Sequence, residues 1–456
     1  MTSESTSRAP LSQGRPGLIL AALLVLATWN YLDRAAVGIL QEPIKHEFSL
    51  SDLQLGLLGG PAFAFLYVIL GLPFARLAER YNRVRIIVTV FALWSLMTAL
   101  CGVAGSFVLL LLTRAGVSVG EAGCTPSAHS LIADQFPPRR RPWALAVYSS
   151  GLSIGSLIAA LAGGAIAQRL GWRPTFYALG ASGLLFAVLF PFVVPEPPRT
   201  TLVEATPDFT QAVRFLVSRP VIRHIVLGTM VAGFMGYSMT QYMTSYFIRS
   251  HHMPIGSASL RVALIVGAAG ALGTCLGGLI GNRLEQRRRG AAALAAAGGF
   301  VVATPFFAVG FLAPDATLAT GLLMAGTAAQ LVYFGPAFAI LHANVPPRMR
   351  GTAIALVLLA TNLIGYGLGP PIVGAASDTL QKLLAAPSPI AIHICAAGSW
   401  LERACQSPKA GGLQWALTLL AVANVWAFYH FLCVSRHHSA TTEGEPLPFS
   451  PTTGGV

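Results

Sequence analysis

The sequence predicts an all-α membrane protein whose twelve transmembrane helices form two six-helix bundles. Three observations predict it. The chain has 456 residues and is 54% hydrophobic, with only 10% charged residues, where a soluble protein carries roughly a quarter. Apolar runs of about 20 residues, enough for a helix to cross a bilayer, recur from end to end. A stretch of the first half also returns in the second: FPPRRRPWALA at 136–146 reappears as VPPRMRGTAIA at 345–355. Helices are the only open-chain elements that satisfy their own backbone in lipid, so each run is read as a helix.

Taken in order, residues 1–16 are polar and predict a disordered N-terminus. The run that follows is too long for a signal-peptide core and lacks a small-residue cleavage site, so it is expected to stay as the first helix. The spans of the first bundle, within 17–194, are 17–41, 52–76, 86–106, 108–133, 143–168 and 174–194. A linker at 195–221 follows. The second bundle, within 222–434, contains 222–248, 259–282, 290–312, 317–342, 351–376 and 412–434. The tail, 435–456, is polar and rich in Pro and Gly and is expected to be disordered. The repeated segment opens the fifth and the eleventh span, so the two halves read as parallel copies. Such halves pack around a central path.

Orientation follows from the basic residues. With the N-terminus in the cytoplasm, twenty of the thirty Lys and Arg residues fall in inner segments and eight in outer ones. The positive-inside rule therefore places both termini in the cytoplasm, in a cytoplasmic or inner membrane. The net charge of +13 reflects these arginines and does not point to nucleic acid. The expected partners are the lipid bilayer and a small cargo, and the chain is expected to be a monomer.

Of 17 acidic residues, only Asp33 and Glu121 lie well inside a span. Arg34 and Arg114 are the intramembrane bases. A charge at such depth is costly, so it usually marks an ion or substrate pathway. In the fourth span Arg114, Ser118, Glu121 and Thr125 form one polar stripe at helical spacing. In the first, Asn30, Asp33 and Arg34 are expected to share a face. At about 1.5 Å rise per residue, Asp33 and Arg114 both fall in the outer half, and Glu121 lies roughly 10 Å from Arg114 along its helix. An Asp33–Arg114 contact is therefore expected, with Glu121 the less compensated acid and the proton carrier. A static charge network that fixes helix packing is the other reading.

The second half offers neutral polar residues. Tyr237, Gln241, Thr244 and Ser245 form a stripe on the seventh span, and Asn362 and Tyr366 share a face of the eleventh. Together with Asn30, Tyr148, Ser149 and Ser153 they either line a cargo path or make interhelical hydrogen bonds, as polar residues in membrane helices commonly do. Cys101, Cys124, Cys275 and Cys433 read as small buried residues. Cys395 and Cys405 lie in the long outer loop, where an oxidising compartment would permit a disulfide. No metal-ligand set, phosphate loop or nucleophile elbow appears. No cofactor is expected, with protons as the coupling ion, and an embedded enzyme is the least favoured class.

The segment ARLAERYNRVR at 75–85 resembles the inner loop G-x-L-x-D-R-x-G-R-R/K of the major facilitator superfamily. Leu77, Ala78, Arg80 and Arg83 match; Ala75, Glu79 and Asn82 depart. The resemblance implies the major facilitator fold and an inner latch of Glu79, Arg80, Arg83 and Asp134. In it the acid faces the eleventh-helix N-terminus and Arg83 meets Asp134. NYLDR at 30–34, SDLQLGLL at 51–58, ERYNR at 79–83 and RAGVSVGEAGCTPSAHSLIADQFPP at 114–138 resemble the spinster-like branch. That resemblance implies proton coupling through Asp33 and Glu121, with Arg34 and Arg114 in the surrounding network, and a lysolipid- or sphingolipid-like cargo. GSLIAALAGG at 155–164 is similar to an antiporter motif at Gly155, Gly163 and Gly164, but Ala159 and Ala160 replace its Gly-Pro kink.

These observations together imply a proton-coupled secondary transporter working by alternating access, moving an amphiphile. A symporter of a small organic anion, bound by Arg34 or Arg114, and a non-transporting membrane receptor are the alternatives.

Overall fold

A computed structural model describes residues 16–137, 139–197, 209–346, 349–385 and 407–440. Every regular element among them is helical. Among the described residues, twelve helices are long and apolar enough to cross a membrane. In chain order they are α1 Pro16–Phe48, α2 Asp52–Gly71, α3 Arg83–Val103, α4 Phe107–Gln135, α5 Trp143–Leu170, α6 Trp172–Val193, α7 Pro220–His251, α8 Ile255–Arg287, α9 Ala291–Leu312, α10 Ala316–Ala343, α11 Arg350–Ala385 and α12 Ala410–Ser439. The helical stretch that completes α2 runs on as Pro61–Arg80.

Several helices outrun the apolar runs that announced them. α1 continues past residue 41 through Pro43 to Phe48, and α11 continues past 376 to Ala385. α12 continues past 434 to Ser439, burying Ser435 and His438, so the disordered tail expected from 435 does not begin there. Within the linker expected at 195–221, Phe209–Ser218 is helical. Phe215 and Leu216 from this helix join the apolar core of the second half with Ile222, Phe300, Tyr333 and Phe431. Hydrophobicity marks where lipid lies, whereas backbone hydrogen bonding carries a helix on beyond it. Of the cysteines expected to be buried, Cys101 and Cys124 are, Cys433 is half-buried and Cys275 is exposed on its helix; those of the expected outer loop, Cys395 and Cys405, lie outside the described residues.

Among the described residues three spans contain a π-helical turn: Ala159–Gly163 in α5, Ala263–Ala269 in α8 and Asn362–Tyr366 in α11. The first falls where the antiporter-like motif lacks its Gly-Pro. The helix is thus interrupted there without proline, by one wide turn, a device found frequently at functional sites.

Packing sorts the chain into two units that do not coincide with its halves. One is Met1–Arg34, Leu66–Ile158 and Trp172–Glu204; the other is Ala35–Phe65, Ala159–Gly171 and Ala205–Val456. In the first unit, small residues bring helices into backbone contact. A Cβ on Gly180 would lie 2.6 Å from the Ser95 carbonyl oxygen, and one on Gly120 would lie 2.7 Å from that of Val90. Trp29 stacks on Phe186, ring centroids 5.8 Å apart. In the second unit, Gly273 and Gly277 of α8 press on the backbone of Ala328 and Val332 in α10. Close approach through small residues is how membrane helices gain packing energy without a hydrophobic drive.

Candidate functional site

One buried polar group of the first unit is built from α1, α3 and α4. Asp33 is 4% exposed, and Arg114 and Glu121 are fully buried. Arg34 donates from Nε to Glu121 Oε2 at 2.7 Å. Its guanidinium also lies over two aromatic rings, 5.2 Å from the centroid of Tyr31 and 4.6 Å from that of Tyr67. Charge-assisted bonds of this kind are roughly twice as strong as neutral ones, and the two ring faces add a cation–π attraction. Asp33 accepts a hydrogen bond from the Thr98 hydroxyl of α3 and feels the charges of Arg114 and Arg34.

Asp33 lies in the field of Arg114, as expected. The unexpected contact is that of Arg34 with Glu121, which therefore is not left uncompensated. Asp33 and Arg34 are also not on one face in any useful sense. Consecutive helical residues diverge by about 100°, so Asp33 reaches Thr98 on α3 while Arg34 reaches Glu121 on α4. Depth along the bilayer could not reveal this, since the neighbour of each side chain depends on direction around the helix. Thr98, Tyr31 and Tyr67 were missed for the same reason. The available signal was polarity inside a span, which Thr98 has.

A second polar centre in this unit surrounds Arg83, whose side chain is 2% exposed. It donates from Nη1 to Asp134 and to the Ser130 hydroxyl, from Nε to Glu196 at 2.8 Å, and from Nη2 to the Pro197 carbonyl at 3.2 Å. The other Glu196 oxygen accepts from the Val84 amide at 2.9 Å. The Arg83–Asp134 pair implied by the loop motif is present. Glu196, just beyond α6, escaped the sequence reading because it stands outside every span. Glu79 and Arg80 are exposed at the end of the Pro61–Arg80 helix, outside this cluster.

The neutral residues of the second unit form two bonded groups. Tyr237 donates to Asn362 Oδ1 at 2.9 Å, at the start of the π-helical turn of α11. Tyr366, at the end of that turn, stands edge-on to Tyr237 with centroids 4.9 Å apart. Gln241 donates to Gln41 at 2.9 Å, and Gln41 donates to Ser245 at 2.8 Å. In the first unit Asn30 and Tyr148 are buried, with Tyr148 edge-on to His129, whereas Ser149 and Ser153 are exposed. No group of His, Cys, Asp or Glu among the described residues could hold a metal ion.

The profile of the Major Facilitator Superfamily matches residues 19–370. An MFS-type efflux pump of Mycolicibacterium smegmatis is 33% identical over 368 residues, covering 80% of this chain and 86% of that protein. Human protein spinster homolog 1 is 29% identical over 401 residues, covering 82% of this chain and 75% of the human protein. Among solved structures, a bacterial homologue of the human lysosomal transporter spinster, inward-facing and unoccupied, superposes with a TM-score of 0.83. It is 32% identical, with 94% of this chain and 98% of that one covered.

Proposed function

This chain belongs to the Major Facilitator Superfamily and is a transporter of spinster type, and we propose that it couples protons to the movement of an amphiphile by alternating access. The observation that carries the proposal is the buried Arg34–Glu121 pair beside Asp33. Fold alone does not name a coupling ion or a cargo. Two acids withdrawn from water can take up protons, and two guanidiniums beside them can hold an anion.

A proton on Glu121 removes the charge that Arg34 is bonded to. Arg34 then loses its bonded carboxylate and has a stronger demand for another anion, since taking one member from a withdrawn ion pair costs several kcal/mol. The anionic head of a lysolipid- or sphingolipid-like molecule satisfies that demand. Proton and cargo thus compete for, or succeed each other at, one guanidinium. Asp33, held by Thr98, supplies a second titratable step under the influence of Arg114. The Arg83 cluster with Asp134 and Glu196 acts as a cytoplasmic gate, together with Glu79 and Arg80 at the neighbouring helix end.

Leaving histidine aside, the described residues of the second half include no acid or base deep in its spans, so it offers apolar and neutral polar contacts through Tyr237, Gln241, Asn362 and Tyr366. That suits an acyl tail and a modest head better than a highly charged solute. Likeness to a protein called an efflux pump favours outward movement. The arginine distribution supports both termini in the cytoplasm and residence in the inner membrane, as a monomer.

The test is proton flux in proteoliposomes carrying an internal pH dye, on addition of a lysophospholipid or a small aromatic acid. Wild type and Glu121→Gln are run beside protein-free vesicles. A lysophospholipid-evoked flux that Glu121→Gln abolishes is the expected result. A flux evoked only by the aromatic acid assigns the chain to organic-anion symport. Flux that persists in Glu121→Gln removes the proton role of that residue.

A further inference from the structure

A second ion cluster stands at the C-terminal ends of α1, α7 and α11 and the N-terminal end of α2. The site above does not use it. All of it lies within the second unit, although Glu42, Lys45 and Asp52 come from the first half of the chain and Arg249, Ser377, Asp378 and Gln381 from the second. Arg249 donates from Nε to both oxygens of Glu42, at 2.9 and 3.0 Å. From Nη1 and Nη2 it donates to both oxygens of Asp52, each at 2.9 Å. Asp52 also accepts from Lys45, from the Ser377 hydroxyl at 2.6 Å and from the Gln381 amide at 2.8 Å.

Asp378 completes the arrangement. Its two oxygens accept from the backbone amides of Asp52 and Leu53, each at 2.9 Å, at the opening of α2. A carboxylate suits that place, because the first amides of a helix lack partners and carry partial positive charge. The relation inverts the one implied for the loop at 75–85. There an acid at the end of the second helix faces the start of the eleventh; here an acid near the end of the eleventh faces the start of the second. Around it the backbones touch. Tyr242 donates to the carbonyls of Asp52 and Pro370, at 2.7 and 3.1 Å. Gly56 and Gly374 leave no room for a Cβ against Pro370 and the Asp52 carbonyl.

We propose that Arg249, Asp52, Glu42 and Asp378 form an outer latch that holds the two halves of the chain together at this end and must open during each transport cycle. The proposal rests on the alternating-access reading. Two features mark a latch rather than a permanent staple. The groups are polar and charged, so each protein bond can be exchanged for one to water. A cavity of about 420 Å³, lined in part by Glu42, Lys45, His46, Arg249, Asp378 and Gln381, already brings space to the flank of the cluster. An apolar seam of the same area has no such exchange available.

The test uses the full chain with Ser245→Cys as a reporter. Ser245 is buried beside the latch and bonded to Gln41. Its alkylation by a charged maleimide is followed in proteoliposomes without cargo or pH gradient, after subtracting the signal of the protein that lacks the reporter. Asp378→Asn and Arg249→Gln are compared with the parent. The native Cys101 and Cys124, both buried, report on unfolding. The expected result is a rise of roughly tenfold in reporter rate in both variants, with Cys101 and Cys124 unreactive. An unchanged rate in both overturns the latch. So does a rise shared by Cys101 and Cys124, since the cluster would then be a staple of the fold. Because no proton or cargo enters the measurement, its failure is separate from failure of proton coupling.

Discussion

Arg34 and Glu121 are bonded at 2.7 Å through the interior of the first unit, with 87 residues of chain between them. Removing one member leaves the other charged and buried, which typically costs about 3–5 kcal/mol, whereas removing both need not. Arg34→Met and Glu121→Gln are each expected to lower the melting temperature in detergent. The double variant should recover part of the loss, with a coupling of about 0.5–3 kcal/mol. Strict additivity of the two melting shifts would deny the pair.

Thr98 is the neutral donor to Asp33. Thr98→Val keeps the shape and loses the hydroxyl, leaving a buried carboxyl short of a bond at a cost of about 1–3 kcal/mol. Proton-driven flux in vesicles should slow several-fold. Thr98→Ser should restore both stability and flux, and equal flux in the Val and Ser variants would remove Thr98 from the proton step.

Arg83 serves Asp134, Ser130 and Glu196 at once. A lysine is a point charge and cannot reproduce that fork. Arg83→Lys is expected to lose part of the stability, and Arg83→Gln more, about 3–5 kcal/mol, because two carboxylates then lose the guanidinium they share. Differential scanning fluorimetry on the three proteins orders them.

Gly155 of α5 packs against the Thr28 carbonyl of α1. Any side chain there must push the two helices apart, and overpacking of this kind costs about 1–3 kcal/mol. Gly155→Val should reduce the yield of monodisperse protein and its melting temperature. Unchanged melting would show that α1 and α5 yield to each other freely.

Tyr237 and Asn362 are bonded at 2.9 Å beside a π-helical turn. In Tyr237→Phe the concentration of amphiphile needed for half-maximal flux should rise several-fold with little change in the maximal rate. A fall in melting temperature with unchanged half-maximal concentration would make the pair a structural bond only.

The class of the fold and the identity of the buried charges were legible because both depend on composition along one chain. Apolar runs reveal spans, and a lone Glu121 or Arg114 inside such a run is visible at once. The pairings were less legible. Asp33 and Arg34 diverge toward different helices, and nothing local says which neighbour lies in which direction. The ends of helices were hidden as well. Glu42, Asp378 and Arg249 lie just past apolar runs, in stretches that read as loops, yet each belongs to a helix. A hydropathy window ends where the lipid-like sequence ends, so the whole polar cluster built on those overhanging turns was invisible to it. Arg83–Asp134 was reached through motif resemblance, while Glu196, which shares the same guanidinium, carries no motif.

The wide turn Ala159–Gly163 in α5 is also a matter of counting. A π-helical turn holds one residue more than its α-helical equivalent, so it behaves as an insertion absorbed within a span. Deleting Ala160 would let the wide turn close into ordinary α-helical winding while the residues after it keep their direction. Gly164, which admits Ser259 against its bare backbone, would still face it. The same deletion in a regular stretch of α5 would swing everything after it by about 100°. The wide turn is therefore the one place in this span where a residue can be lost without re-addressing the half of the helix that follows.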